Sequence, residues 1–149
     1  WLPGLDLHLN SMLGEVDLLV GALEPGRRME SMMAPSVALD RDGVVLAVGA
    51  AGSTRLRTAL VGVAAGILDE GLSAHEAVDR PRAHAAGDVV NVEPGVPEEA
   101  LEQLAAAGHT VRRWPERHHY FGGVSAVGRA GAAGDTRRSG AAREARAAR

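Results

Sequence analysis

A chain of 149 residues that is 46% hydrophobic and 23% charged is long enough for one folded domain and too apolar for a disordered one. Its net charge of -3 offers no basic field to a nucleic acid, and 3% aromatic residues leave few surfaces on which bases could stack. Cys is absent and all 16 basic residues are Arg, which excludes disulfides, thiol catalysis, a Walker A loop, a Schiff-base lysine and a Ser–Lys dyad together.

Residues 1 to 35 read as loops and short segments, with "EPGRR" at 24 to 28 as a breaker. The start, "WLPGLDLHLN", has neither a charged n-region nor a long apolar h-region, and no apolar run in the chain has the length of a membrane span. Because it opens on Trp1 rather than Met, the chain is expected to be cut from something longer, and its compartment is not assigned.

"SVALDRDGVVLAVG" predicts a β-hairpin, with strands over 36–39 and 44–49 and Gly43 at positive φ in the "DRDG" turn. From about 54 to 70 the apolar residues Leu56, Leu60, Val63, Ile67 and Leu68 recur at helical spacing, and Gly71 suits the C′ position. Ser73 and Glu76 have capping-box spacing, so a second helix starts at Ser73 and ends before Pro81. "VVNVEP" reads as a strand, 97–107 as a helix opened by Pro97 and ended by Gly108, and "HTVRRW" and "FGGVSAVGR" as two more strands. Helices grouped on a largely antiparallel sheet give an α+β domain over 36–128, after a loop-rich segment over 1–35. The Gly, Ala and Arg of 129–149 show no apolar periodicity and predict a disordered tail.

Between hairpin and helix, "GAAGST" at 49–54 carries almost no side chains. Taken alone it is an ordinary strand–helix connection, but bare backbone at a helix start also suits an anion or a developing oxyanion. Glu15 and Asp17 alone read as solvated acids, and Ser31 among Met residues as a core or loop hydroxyl. His118 and His119 would point apart on a strand, with no acid nearby to complete a ligand set, so no metal and no cofactor are expected. His75 and His84 show no partner in sequence, which suggests a helix surface or a sheet edge.

Several of these segments together resemble one family, the gamma-glutamyltranspeptidases. "LNSMLGEVDL" is similar to the family's Leu-Asn-Asn segment with its acidic cluster, "SMMAPSVALDRDG" to its Ser-Met-Ser-Pro strand, and "VGAAGSTRLRT" to its Gly-Ser-Pro-Gly-Gly-Ser-Arg-Ile loop. "EAVDRPRAH", "NVEPG", "AAAGHTV" and "GGVSAV" follow in the family's order, so the resemblance runs from about 9 to 139. It implies an N-terminal-nucleophile hydrolase with α/β/β/α layers, present only in part. Such proteins mature by self-cleavage, and the new N-terminal Thr attacks a γ-glutamyl amide with its own amine as base.

On the matching positions, Gly52 and Ser53 are the implied oxyanion-hole donors, with Ser53 in place of the second Gly. A backbone N–H can serve from Ser wherever its φ and ψ are open to a residue with a Cβ. Asn10, Glu15 and Ser31 match substrate-binding positions, Glu15 standing for an Asp that grips the α-amino group. Ser11, Met12 and Met32 replace polar residues of the family, and Arg55 is expected to be structural. The nucleophile of the family lies upstream of the Leu-Asn-Asn segment, and none of Thr54, Thr58, Thr110 and Thr136 can take its place. The expected function is therefore that of a small-subunit fragment, inactive alone, whose partners are a γ-glutamyl small molecule and the remainder of the precursor with its large subunit. Neither nucleic acid nor a membrane span is expected. An acylase with another acyl group, or a non-catalytic remnant, are the alternatives.

Overall fold

The computed structural model describes residues 1–9, 19, 21–22, 24–28, 30–143 and 145. The chain divides into two compact units, Trp1–Met32 and Met33–Arg149. In the first, Leu2 and Leu7 form an isolated antiparallel bridge and the Trp1 ring meets His8 edge-on at 4.8 Å. None of its described residues is buried.

The second unit opens with the hairpin of β1 (Ser36–Asp40) and β2 (Gly43–Ala51), antiparallel, with a bulge between Ala38 and Leu39. Gly43 takes φ 110 in the turn, and the N–H of Asp42 donates to the Asp40 carboxylate at 2.8 Å. A 3-10 turn at Ser53–Arg55 then precedes α1 (Leu56–Leu68), so the predicted helix begins two residues after Thr54. Its buried stripe is Leu56, Ala59, Val63 and Gly66. Leu68, expected on that stripe, is 47% exposed, because small residues bring the backbone close to its neighbours and leave the last Leu beyond the contact. In α2 (Ala74–Asp79) the predicted capping box is complete: Ser73 N–H donates to Glu76 Oε2 at 2.9 Å, and Glu76 N–H to Ser73 Oγ at 3.3 Å.

The remaining elements are β3 (Ala83–Ala86), β4 (Val89–Val92), α3 (Glu98–Ala106), β5 (Thr110–Arg113), β6 (Gly123–Gly128) and β7 (Gly131–Gly134). They make two sheets rather than one. The first is four-stranded and antiparallel in the order β1-β2-β6-β7; the second is β3-β4-β5, with β4 and β5 parallel across α3. One face of the first sheet buries Leu46, Val48, Val124, Ala126 and Ala133 against Ala59 and Val63 of α1 and Ala74, Ala77 and Val78 of α2. In the second, Val90 and Val92 pack on Leu101 of α3. Helices thus cover one face of each sheet, and the fold is α+β.

Two strands are not legible in the residue pattern. β3 is "AHAA" and β7 is "GAAG", without a β-branched or aromatic residue between them. The second corrects the expected tail: Ala132 and Ala133 pair with Val127 and Ala126, and Asp135 and Arg137 beyond them are buried. Burial against α2 and ion pairing, not propensity, order this stretch.

Candidate active site

The turn from β2 to α1 holds the two residues matched to oxyanion donors. Gly52 has φ 135 and ψ 30, and Ser53 has φ 55. The left-handed value favours Gly, and Ser53 adopts it at a cost of about 1 to 2 kcal/mol. The bareness of Gly52 has a packing cause. A Cβ there would lie 2.6 Å from Gly122 Cα, and one on Gly122, at φ 75, would lie 2.9 Å from the Ala51 carbonyl oxygen. Two backbones therefore meet face to face, which only a pair of glycines allows. Among the described residues, no hydrogen bond takes up the N–H of Gly52 or Ser53, while the Gly52 carbonyl accepts from Arg55 N–H at 3.2 Å. Two consecutive donors at the head of a 3-10 turn and helix suit an anionic oxygen.

What holds Gly122 in place is a buried ionic network. Arg82, just before β3, donates to the carbonyls of Phe121 (3.3 Å) and Gly122 (3.4 Å) and pairs with Asp135 at 2.6 Å. Asp135 accepts from Val124 N–H at 3.0 Å and pairs with Arg137 at 3.2 Å. Arg137 in turn pairs with Glu93 at 2.6 Å, and both side chains are fully buried. Burial pushes the Asp135 carboxyl up, but the Arg82 charge and the N–H groups of Arg137 and Val124 outweigh it and hold the group below its ordinary value. With every charge countered and hydrogen-bonded, the cluster joins the ends of both sheets behind the turn. Of these residues, sequence reasoning missed Arg82, Glu93, Asp135 and Arg137. The available signal was an acid set before two Arg in "GDTRR", hidden by a composition that reads as tail.

Arg55 anchors the front of the same turn, as its expected structural role requires. Its Nε donates to the Tyr120 carbonyl at 3.2 Å and its guanidinium lies 4.9 Å from the Tyr120 ring centre. Trp114 stacks on Tyr120 at 4.7 Å, meets Phe121 edge-on, and donates from Nε1 to Asn91 at 3.1 Å. His118 and His119 do not point apart: the segment turns as a 3-10 helix, His119–Phe121, and their rings lie 4.0 Å apart. His84 does find a partner. It sits on β3, at the edge of the second sheet, with Nδ1 2.7 Å from Thr58 Oγ1, and that hydroxyl donates to the Arg55 carbonyl at 3.1 Å.

A cleft of about 390 Å³ opens beside the turn, lined by residues 49–51 and 123–125 together with Asp135, Arg138 and Gly140. Of the residues matched to the donor pocket, Ser31 is exposed in the first unit, and Asn10 and Glu15 lie outside the described residues, as does Met12. Gly52 and Ser53 are the matched pair that the second unit positions.

Comparison with known proteins shows the family and the fold. The acylase ACY 1 proenzyme of Pseudomonas sp. (strain SE83) is 30% identical over 129 residues, which is 85% of this chain and 23% of that relative. The glutathione hydrolase proenzyme of Pseudomonas sp. (strain A14) is 35% identical over 74 residues, 50% of this chain and 13% of its own length. The chain thus spans less than a quarter of either relative. The solved gamma-glutamyltranspeptidase from Pseudomonas nitroreducens complexed with L-DON matches with a TM-score of 0.75 at 24% identity, over 97% of this chain and 85% of that one. The fold is accordingly part of an N-terminal-nucleophile hydrolase fold. Since the family model for gamma-glutamyltranspeptidase matches residues 12–145, nearly the whole length, the chain belongs to the gamma-glutamyltranspeptidase family.

Proposed function

We propose that this chain supplies the oxyanion-stabilising turn and part of the donor pocket of a hydrolase or transferase that acts on γ-glutamyl amides such as glutathione. The acyl-enzyme forms on an N-terminal Thr carried outside these residues, with the Thr amine as base. Gly52 and Ser53 stabilise the tetrahedral oxyanion through their N–H groups, and Asn10, Glu15 and Ser31 hold the donor, Glu15 by its charge on the α-amino group. The observation that supports this reading most directly is the pair of N–H groups with no hydrogen bond among the described residues, on a turn kept bare by the contact between Gly52 and Gly122.

A partner is implied by the open face of the first sheet. Val37, Leu39, Val44 and Val127 are between 55% and 70% exposed there, and we assign that face to the remainder of the precursor. An acylase with a different acyl donor is the second reading, favoured by Met12 and Met32 at polar positions of the pocket and by similarity to the acylase ACY 1 proenzyme.

The test is a pair of assays with γ-glutamyl-p-nitroanilide. The 149-residue chain is expected to release no chromophore above background, and a chain extended upstream through the Thr to self-cleave and turn the substrate over. Hydrolysis by the short chain that survives repurification and vanishes with Thr54→Ala would overturn the reading. Self-cleavage of the long chain, with turnover of other acyl amides but not of γ-glutamyl ones, selects the acylase.

A further inference from the structure

We propose that Arg138 makes the cleft beside Gly52 and Ser53 selective for amides that carry a carboxylate close to the scissile carbonyl. The proposal rests on the oxyanion reading of that turn and adds the feature of the substrate that the cleft recognises.

The arginine lies in a lane cleared for it. A Cβ on Gly123 would fall 2.6 Å from Arg138 Cδ, 3.0 Å from Cγ and 3.2 Å from Cβ, so the aliphatic stem runs flat across the bare start of β6. Its tip reaches the oxyanion turn: Nη2 is 3.5 Å from where a Cβ of Gly52 would sit, and it donates to the His119 carbonyl at 3.4 Å. The backbone beneath is anchored as well. Arg138 ends the 3-10 turn Thr136–Arg138, whose preceding residue, Arg137, is locked into the buried network. The stem on Gly123 and the contact with the His119 carbonyl thus narrow where the exposed guanidinium lies, which lowers the entropy lost on binding.

Its charge is unspent. Arg80, Arg82, Arg113, Arg117, Arg129 and Arg137 each pair with a carboxylate, whereas among the described residues Arg138 pairs with none. Asp135 lines the same cleft, but its oxygens are occupied by Arg82, Arg137 and the N–H groups of Val124 and Arg137. A planar guanidinium with N–H groups to spare, in a cleft where the one acid is already neutralised, matches a carboxylate in shape and charge.

The experiment follows the amide resonances of Gly52 and Ser53 in the full 149-residue chain during titration with two pairs of small amides. N-acetylglycine against N-acetylglycinamide places the carboxylate on the amine side; N-methylglutaramate against N-methylpentanamide places it on the acyl side. In one pair the carboxylate should bind about tenfold more tightly than its neutral partner, the size expected of a charge-assisted bond, and that pair tells which side of the substrate faces Arg138. Arg138→Gln should reduce the preference to within about twofold while the neutral amides still shift Gly52 and Ser53. Gly123→Ala, which displaces the flexible arm and leaves its charge, should have the same effect. Unmoved resonances of Leu46 and Val63 would show that both variants are folded. No preference in the parent chain, or a preference that persists in Arg138→Gln, overturns the proposal and leaves the oxyanion turn standing. Gly52 and Ser53 that respond to no amide, charged or neutral, overturn the oxyanion reading and this proposal with it.

Discussion

Gly52 shows how one residue can be required by its surroundings and not only by chemistry. Gly52→Ala forces a Cβ into the Gly122 backbone at a φ that L residues avoid, and should cost about 2 to 4 kcal/mol. Gly49→Ala, at a position with open space and ordinary φ, should be neutral or stabilise slightly. Denaturant midpoints of the two variants test the contrast. At Ser53 the strain of a left-handed residue opposes the chain entropy that a Gly would add, so Ser53→Gly should stay within about 0.5 kcal/mol of the parent. His84 carries a pH prediction. Burial, and then the charges of Arg55 and Arg57, lower its pKa below the ordinary 6.5. The unfolded chain thus binds a proton that the folded chain refuses, and this contribution to stability, complete above pH 6.5, declines as pH falls toward the lowered value. Midpoints measured across that window should lose the corresponding slope in His84→Gln. That residue could be named from sequence but not paired, since Thr58 is 26 positions away and meets it only when β3 lies beside α1.

At the scale of elements, the hairpin, both early helices and the helix opened by Pro97 are set by local rules, because turn chemistry, capping and apolar spacing agree there. β7 is not. Its four small residues are held by their neighbours in the sheet and by the fully buried pair of Arg137 and Glu93 just beyond the strand. Arg137→Met should therefore cost about 3 to 5 kcal/mol, since it leaves the fully buried Glu93 carboxylate without its cation, while Asp135 keeps only Arg82. Arg113→Met, which breaks the exposed pair with Glu98, should leave the midpoint nearly unchanged. Equal effects in the two variants would show that the buried network does not order this end of the chain.

For the molecule as a whole, the first sheet is finished on one face only. Across its strands Val37 lies opposite Ala47, Ala47 opposite Val127, and Val127 opposite Ala132, so an apolar row crosses all four strands on the side away from α1 and α2. Sedimentation of the isolated chain should show concentration-dependent association, and binding of a hydrophobic dye should accompany it. Val37→Glu together with Val127→Glu, at positions about 60% exposed, should shift the distribution toward monomer without loss of the sheet. A monodisperse parent chain at high concentration would remove the case for a partner on this face.

The amino-acid sequence by itself determined the family, because motifs in order along the chain survive where any one of them is weak. It also determined the position of the bare turn and most elements, since periodicity, caps and turn residues act over a few positions. Only the tertiary structure decided that the helices serve two sheets, that Ala-rich β3 and β7 are strands, and why Gly52 must be Gly. Arg82, Glu93, Gly122 and the stretch from Asp135 to Arg138 come from distant parts of the chain, and only the last carries a local pattern. They meet through long-range packing, and no window along the chain contains both sides of a contact between residues 52 and 122.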